Sequence, residues 1–356
     1  MNIWKSVLSL VVNGLLLVVL LVNYGCGNNT SQESKTAGKK RVGIVLDIGG
    51  DKDKGYNEYT LKGVREAATA TGMDVKYIVS ESMMDYENNV ESLIHEGAEL
   101  IVTVGFTMGN ITSKAAQKNK GVHFVIVDVA YYPGAGCPDT VKDCYTKEGG
   151  LENVTSLIFA EDEPGYMAGV LAGCMSKSNV IATVSGMEIP PVVHYVVGYQ
   201  HGARSIKPDI KLQNQYIPDF NDPHTAKTVA QQFMQEGADV IFAVGGNTGN
   251  GALLAAKEAG IMGIGVDVDQ YLTYDVVKDI LLTSAMKNMD VAAAAAVTAF
   301  SKGELKSGVK MFNLGNSGVG LAPYHDWENK IPQQCKDLVK KAEQDVIADP
   351  AITGAK

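Results

Sequence analysis

Three aspartates and two aromatic residues carry most of the chemistry that this 356-residue chain offers. Asp47, Asp128 and Asp267 each close a short apolar run, at 42–47, 124–128 and 264–267. The runs 100–105, 180–186 and 240–246 close instead on Gly105, Gly186 and Gly245-Gly246. A carboxylate has two acceptor oxygens, which suit vicinal hydroxyls or a ring N–H beside an amine. Such charge-assisted bonds are about twice as strong as neutral ones. Glycine at a strand end lets a ligand approach the backbone closely. Tyr56 follows the glycine- and charge-rich stretch 48–55, and Phe220 holds a comparable place within 217–223. One aromatic from each half can sandwich a flat ligand, at roughly 1–3 kcal/mol per stacked face. Each feature has a plainer alternative. Asp and Gly form turns and cap helices, and Tyr and Phe fill cores. As a set, three carboxylates at strand ends in both halves outweigh that alternative.

Several chemistries are excluded. The stretch 48–57 lacks GxxxxGK[ST], and its acids would repel phosphate. It also lacks the spacing and terminal glutamate of a calcium loop. The six histidines form no HExxH motif, and no cysteine pair has zinc-site spacing. No Ser or Cys stands in a nucleophile motif and no cofactor fingerprint is present. The expected chemistry is binding, with neither metal nor cofactor.

The elements that must position these residues read as alternating strands and helices. Strands are expected at 42–47, 75–79, 100–105 and 124–128, separated by helices at 57–72, 86–97 and 108–119. The pattern restarts with strands at 180–186, 212–217, 240–246 and 264–267, and helices near 190–205, 223–236 and 249–260. A strand at 280–285, a helix after it and a polar helix near 331–348 complete the chain. Such alternation implies an α/β fold of parallel sheets buried on both faces. Two similar halves imply two lobes with a cleft between them, and parallel sheets bind ligands at the carboxyl ends of their strands.

The first forty residues assign a compartment. Lys5, the apolar run 7–22 and Gly25-Cys26 have the order of a bacterial lipoprotein signal. On this reading residues 1–25 are a cleaved signal peptide, Cys26 is acylated, and 26–40 is a polar tether to the exported membrane face. Asn23 and Tyr24 depart from the usual residues before the lipidated cysteine. The alternative is an uncleaved transmembrane anchor, for which the apolar run is short. Without residues 1–25, which carry Lys5 and no acid, the net charge is −10. An acidic domain has no electrostatic case for binding nucleic acid. Cys137 and Cys144 lie in a turn-rich polar segment, where a local disulfide suits an exported protein, with free thiols as the alternative. Cys174 reads as a buried thiol and Cys335 as a solitary one.

The stretches 45–47 with 54–57, 124–128, 186–188, 239–251, 265–271 and 282–287 together carry a resemblance. The chain resembles the basic membrane protein family of lipoproteins, in particular its purine nucleoside receptor branch. The resemblance implies a type I periplasmic-binding-protein-like fold and delivery of guanosine, inosine or adenosine to the permease of an ABC importer. Carried over by motif, Tyr56 and Phe220 would stack on the two faces of the base and Asp128 would accept from its edge. Asp267 would hold ribose hydroxyls with Lys287 beside it. Asp47 and Asn57 would complete the polar shell, and Met187 and Gly246 would line the cleft. For Lys287 a structural salt bridge is the alternative. Two departures from the family bear on specificity. The segment around Cys137 and Cys144 looks inserted, and Tyr56 replaces the common phenylalanine with a ring that carries a hydroxyl.

The resulting expectation is a membrane-anchored solute receptor that closes by a hinge and needs no second copy of itself. The N-terminal lobe is assigned 41–160 plus about 271–305, and the C-terminal lobe about 161–270 plus 306–356, with crossovers near 160, 270 and 305. Competing readings are a sugar receptor, a surface antigen or adhesin with an idle cleft, and a nucleoside hydrolase.

Overall fold

The computed structural model describes residues 39–355. Cys26, the leader 1–25 and most of the tether lie outside the described residues. Among those described, no helix is long and apolar enough to cross a membrane.

The chain alternates strand and helix as its periodicity requires. The first lobe opens with β1 (Arg41–Leu46), α1 (Tyr56–Thr71), β2 (Asp74–Val79), α2 (Tyr86–His95), β3 (Leu100–Val104), α3 (Gly109–Lys118) and β4 (His123–Val127). Two short strands, β5 (Tyr132–Pro133) and β6 (Gly136–Cys137), shape a loop before β7 (Val154–Phe159). The second lobe contains α4 (Asp162–Met175), β8 (Val180–Ser185), α5 (Pro190–Ile206), β9 (Lys211–Tyr216), α6 (Pro223–Gln235), β10 (Val240–Val244), α7 (Gly246–Ala259) and β11 (Met262–Asp267). Then follow α8 (Gln270–Thr273), β12 (Leu281–Lys287), α9 (Met289–Ser301), β13 (Gly308–Phe312), β14 (Val319–Leu321) and α10 (Gln333–Ala348).

Two six-stranded sheets result, in the orders β13-β7-β4-β3-β1-β2 and β14-β12-β11-β10-β8-β9. The first is parallel throughout. In the second only β14 is antiparallel. The inner strands β3 and β10 are buried at every residue, which is why they read as unbroken apolar runs.

The lobe boundaries correct the expectation. β12 belongs to the second sheet and β13 to the first. The chain therefore crosses between lobes just after Phe159, again between Lys287 and α9, and finally between Phe312 and Val319. It does not cross near 270 or 305. The physical reason is that β12 is an apolar strand buried at all but Met286. Its composition suits either sheet, and only its register beside β11 decides. Helix α9 does lie with the first lobe. It packs so tightly on α1 that a Cβ at Gly63 would fall 2.2 Å from the Asp290 carbonyl oxygen.

Helices α4 and α5 touch backbone to backbone. Gly165, Gly169 and Gly173 recur every fourth residue on α4, facing Gly198 and Gly202 on α5. A Cβ at Gly169 would sit 2.0 Å from the Tyr199 carbonyl oxygen, and one at Gly202 would sit 1.9 Å from that of Tyr166. This spacing stacks small residues on one helix face. Cys174 and Cys335 were read as separate thiols, but they form a disulfide that ties α4 to α10, with Cα atoms 5.7 Å apart. A second disulfide joins Cys137 to Cys144 in the loop before β7.

Candidate ligand-binding site

Each site carboxylate stands where a strand ends and the backbone must turn. Asp47 follows β1, Asp128 follows β4 and Asp267 closes β11. Asp128 and Asp267 hold φ of +71° and +68°. Aspartate tolerates this left-handed region better than most residues. Held residues of this kind cluster at functional sites.

These three carboxylates, with Tyr56, Asn57, Phe220, Gly246 and Lys287, line one cavity between the lobes. Its empty volume, with the open solvent at its mouth included, is about 570 Å³. Tyr56 comes from the start of α1 in the first lobe, and Phe220 from the loop before α6 in the second. Met187 is not part of this lining. Ile189, Pro191, Val192 and Tyr195 at the start of α5 take its place, and Phe106 and Thr107 join from the first lobe. Gly186 serves Phe220 rather than a ligand, since a Cβ there would lie 2.5 Å from the phenyl ring.

The polar shell is built in two layers. Asp47 Oδ1 accepts from Gly49 N at 2.8 Å and from Asn57 Nδ2 at 2.7 Å. The same amide donates to Asp53 Oδ2 at 3.2 Å. Asn57 is 1% exposed and has both amide hydrogens committed, so it holds two carboxylates in place. Asp53 was not anticipated. Its carboxylate accepts from the backbone N–H groups of Gly55, Asn57 and Glu58, which satisfies donors that the start of α1 leaves open. An Asp a few residues before a helix was the available signal.

Glu161 was also missed. Lys287 Nζ donates to Glu161 Oε1 and to Asp128 Oδ2, both at 2.7 Å. His194 Nδ1 lies 3.4 Å from the other Glu161 oxygen. Lys287 is 2% exposed, so the salt bridge offered as its alternative is present, and it stands in the cavity wall. Tyr56 Oη donates to Asp128 Oδ2 at 2.8 Å. Asp128 Oδ1 lies 2.6 Å from Nζ, off the hydrogen-bonding direction, and has no hydrogen-bond partner.

Burial shapes the charge states. It raises the Asp47 carboxyl to about 6, against the bonds from Asn57 and Gly49. Burial likewise raises Asp267 to about 7, with Lys287 opposing and Asp53, Asp128 and Glu161 assisting. Asp128 is also pushed up by burial, opposed by Lys287. Burial pushes Glu161 the same way, but Lys287 and His194 overcome it and hold the group below its ordinary value. Burial works against the Lys287 charge, yet Asp128, Glu161 and Asp267 keep it firmly protonated. Lys287 is the one cationic side chain among the described residues that line the cavity, and its charge is shared between Asp128 and Glu161. Among the described residues, no cluster of His, Cys, Asp and Glu is arranged to hold a metal ion.

The second lobe grips the loop between β1 and α1. Asn250 Nδ2 donates to the Asp53 carbonyl at 2.9 Å, and Thr273 Oγ1 to that of Lys54 at 2.8 Å. Asn247 Nδ2 reaches the Gly49 carbonyl at 3.4 Å. Gln270 Nε2 braces Asn250 at 2.9 Å.

Residues 40–352 match the family described as ABC transporter substrate-binding protein, PnrA-like. The chain belongs to this family. It is 31% identical to the ABC transporter nucleoside-binding protein BmpA of Lactococcus lactis subsp. cremoris (strain MG1363), over 96% of this chain and 97% of that one. It is 29% identical to a lipoprotein of Pyrococcus abyssi (strain GE5 / Orsay), over 95% of this chain and 81% of that one. An ABC transporter solute-binding protein from Aeropyrum pernix K1 shares the fold, with a TM-score of 0.76 at 24% identity, covering 87% of this chain and 91% of that one. The protein is thus an ABC transporter substrate-binding protein of the PnrA-like family, a class that binds small ligands and works with permease subunits.

Proposed function

We propose that this protein captures purine nucleosides between its lobes and presents them to the permease of an ABC importer, from a membrane face where a lipid on Cys26 holds it. The observation that carries this reading is the pairing of Tyr56 and Phe220, one from each lobe, on a single cavity edged by Asp47, Asp128 and Asp267. A purine is flat enough for two rings to face it, and ribose supplies hydroxyl donors for carboxylates. The commitment of Lys287 to Asp128 and Glu161 argues for a neutral nucleoside over a nucleotide. The similarity to a relative named a nucleoside-binding protein supports the same choice.

Calorimetric titration tests it, on chain freed of bound ligand by unfolding and refolding, with guanosine, inosine, adenosine, ribose and galactose. One-to-one binding of a nucleoside is the expected result. Phe220→Ala should weaken it about 5- to 150-fold, because one stacked face is worth roughly 1–3 kcal/mol. Binding of sugars alone would transfer the function to a sugar receptor. Hypoxanthine released from inosine on long incubation would make the protein a hydrolase.

The binding should weaken in acid. Asp47 and Asp267 accept most strongly from the ligand when ionised, and burial puts their values near 6 and 7. Affinity is expected to hold above pH 8 and to weaken as pH falls through 7 and 6. Unliganded stability runs the other way. Both folded values lie above the ordinary 3.8, so the stability these groups contribute is complete below about pH 4 and is lost as pH rises through 6 and 7. Titrations from pH 5 to 8 check both trends, and an affinity that rises on acidification refutes the role of these carboxylates.

A further inference from the structure

Asp128 has less to offer a ligand than its two oxygens suggest. A carboxylate oxygen has two lone-pair sites. Oδ2 uses both: it accepts from Tyr56 Oη at 2.8 Å and from Lys287 Nζ at 2.7 Å. Oδ1 is buried 2.6 Å from the same ammonium, off its hydrogen-bonding direction and without a hydrogen-bond partner. Both donors are fixed. A second Lys287 N–H donates to Glu161 Oε1 at 2.7 Å, and Tyr56 is anchored at the first residue of α1. We infer that the Tyr56 hydroxyl sets base selectivity, by leaving Asp128 one acceptor oxygen and so favouring a purine edge with one donor over an edge with two.

This rests on the nucleoside reading and sharpens it. A guanine edge places the ring N1–H beside the exocyclic amine, and a carboxylate pairs both donors only with two free oxygens. A hypoxanthine edge carries N1–H beside a C–H, so a single acceptor satisfies it. With Oδ2 spent, bound guanosine buries an amine hydrogen with no partner at Asp128. An unsatisfied buried donor costs enough to shift binding about tenfold or more. With phenylalanine at position 56, Oδ2 would regain a lone pair and the edge would accept both donors. Tyr56 therefore combines two tasks: its ring lines the cavity and its hydroxyl edits the acceptor pattern of the residue facing the base.

The test is the ratio of two affinities. The full chain, solubilised in mild detergent and stripped of ligand, is titrated with inosine and with guanosine, as wild type and as Tyr56→Phe. The wild type is expected to bind inosine about tenfold more tightly than guanosine, and Tyr56→Phe to move that ratio about tenfold toward guanosine. A purely structural role for the hydroxyl would weaken both nucleosides together and leave the ratio alone. The inference is overturned if the wild type binds guanosine as tightly as inosine, or if Tyr56→Phe changes the ratio less than threefold. Should the variant fail to fold, the wild-type ratio decides. Silence of the folded wild type toward both nucleosides overturns the receptor reading itself and this inference with it.

Discussion

Lys287→Met should cost the protein about 3–5 kcal/mol of stability and its ligand as well. Lys287 is 2% exposed and its ammonium is shared by Asp128 and Glu161, themselves 5% and 3% exposed at the side chain. Methionine would fill much of the same space, so the loss isolates the charge. Removing one partner of a buried ion pair leaves an uncompensated charge, which is far worse than never having built the pair. Here two carboxylates lose their counter-ion together. They would respond by taking up protons, so the variant should be less destabilised at pH 5 than at pH 8. A second change, Glu161→Gln, should recover part of the loss by removing one of the stranded charges. Urea unfolding of the three chains at both pH values measures this. A loss below about 1 kcal/mol at pH 8 would mean that water or a neighbouring group reaches the carboxylates.

The other large effect is expected at the contact of α4 with α5. Gly202→Val should prevent the second lobe from folding stably, and even Gly202→Ala should cost about 3 kcal/mol. A Cβ at this position would lie 1.9 Å from the Tyr166 carbonyl oxygen, and helix backbone cannot swing aside as a side chain does. The two helices must part, and α5 carries Val192 and Tyr195 into the cleft. Binding should therefore fail along with stability. Gly121→Ala is the control, because nothing lies within 4 Å of the added carbon. It should change stability by no more than about 0.5 kcal/mol. Urea midpoints and soluble yield of the three chains give the comparison, and an alanine at 202 that behaves like the one at 121 would refute backbone contact.

Local pattern made the elements legible. The helix expected near 190–205 runs from Pro190 to Ile206, and the one expected near 223–236 from Pro223 to Gln235. Capping and proline signals act over a few residues, so they survive without tertiary context. The gathering of Asp47, Asp128 and Asp267 around one cavity follows from a general property of parallel sheets, whose strands all end on the same side. What could not be read was pairing at long range. Glu161 stands first in an acidic triplet that resembles an ordinary helix start, and its partner Lys287 lies 126 residues away. The exchange of β12 and β13 between sheets depends on register rather than composition. Met187 fell outside the lining because the turn before α5 presents Ile189 and Pro191 instead.

The two disulfides also differ in time. A chain is made from its N-terminus at about 5–20 residues per second. Cys137 and Cys144, 7 residues apart, emerge almost together, and segments of that length meet within roughly 10–100 ns. Cys174 follows soon after, but its partner lies 161 residues further on, a delay of roughly 8–30 s at the same pace. During that interval the nearest thiols to Cys174 in the chain are the wrong ones. Where an oxidant is present, early closure of the small ring withdraws both rivals before the distant partner exists. If the chain meets its oxidant in the same N-to-C order, the loop disulfide would protect a bond in which it takes no part.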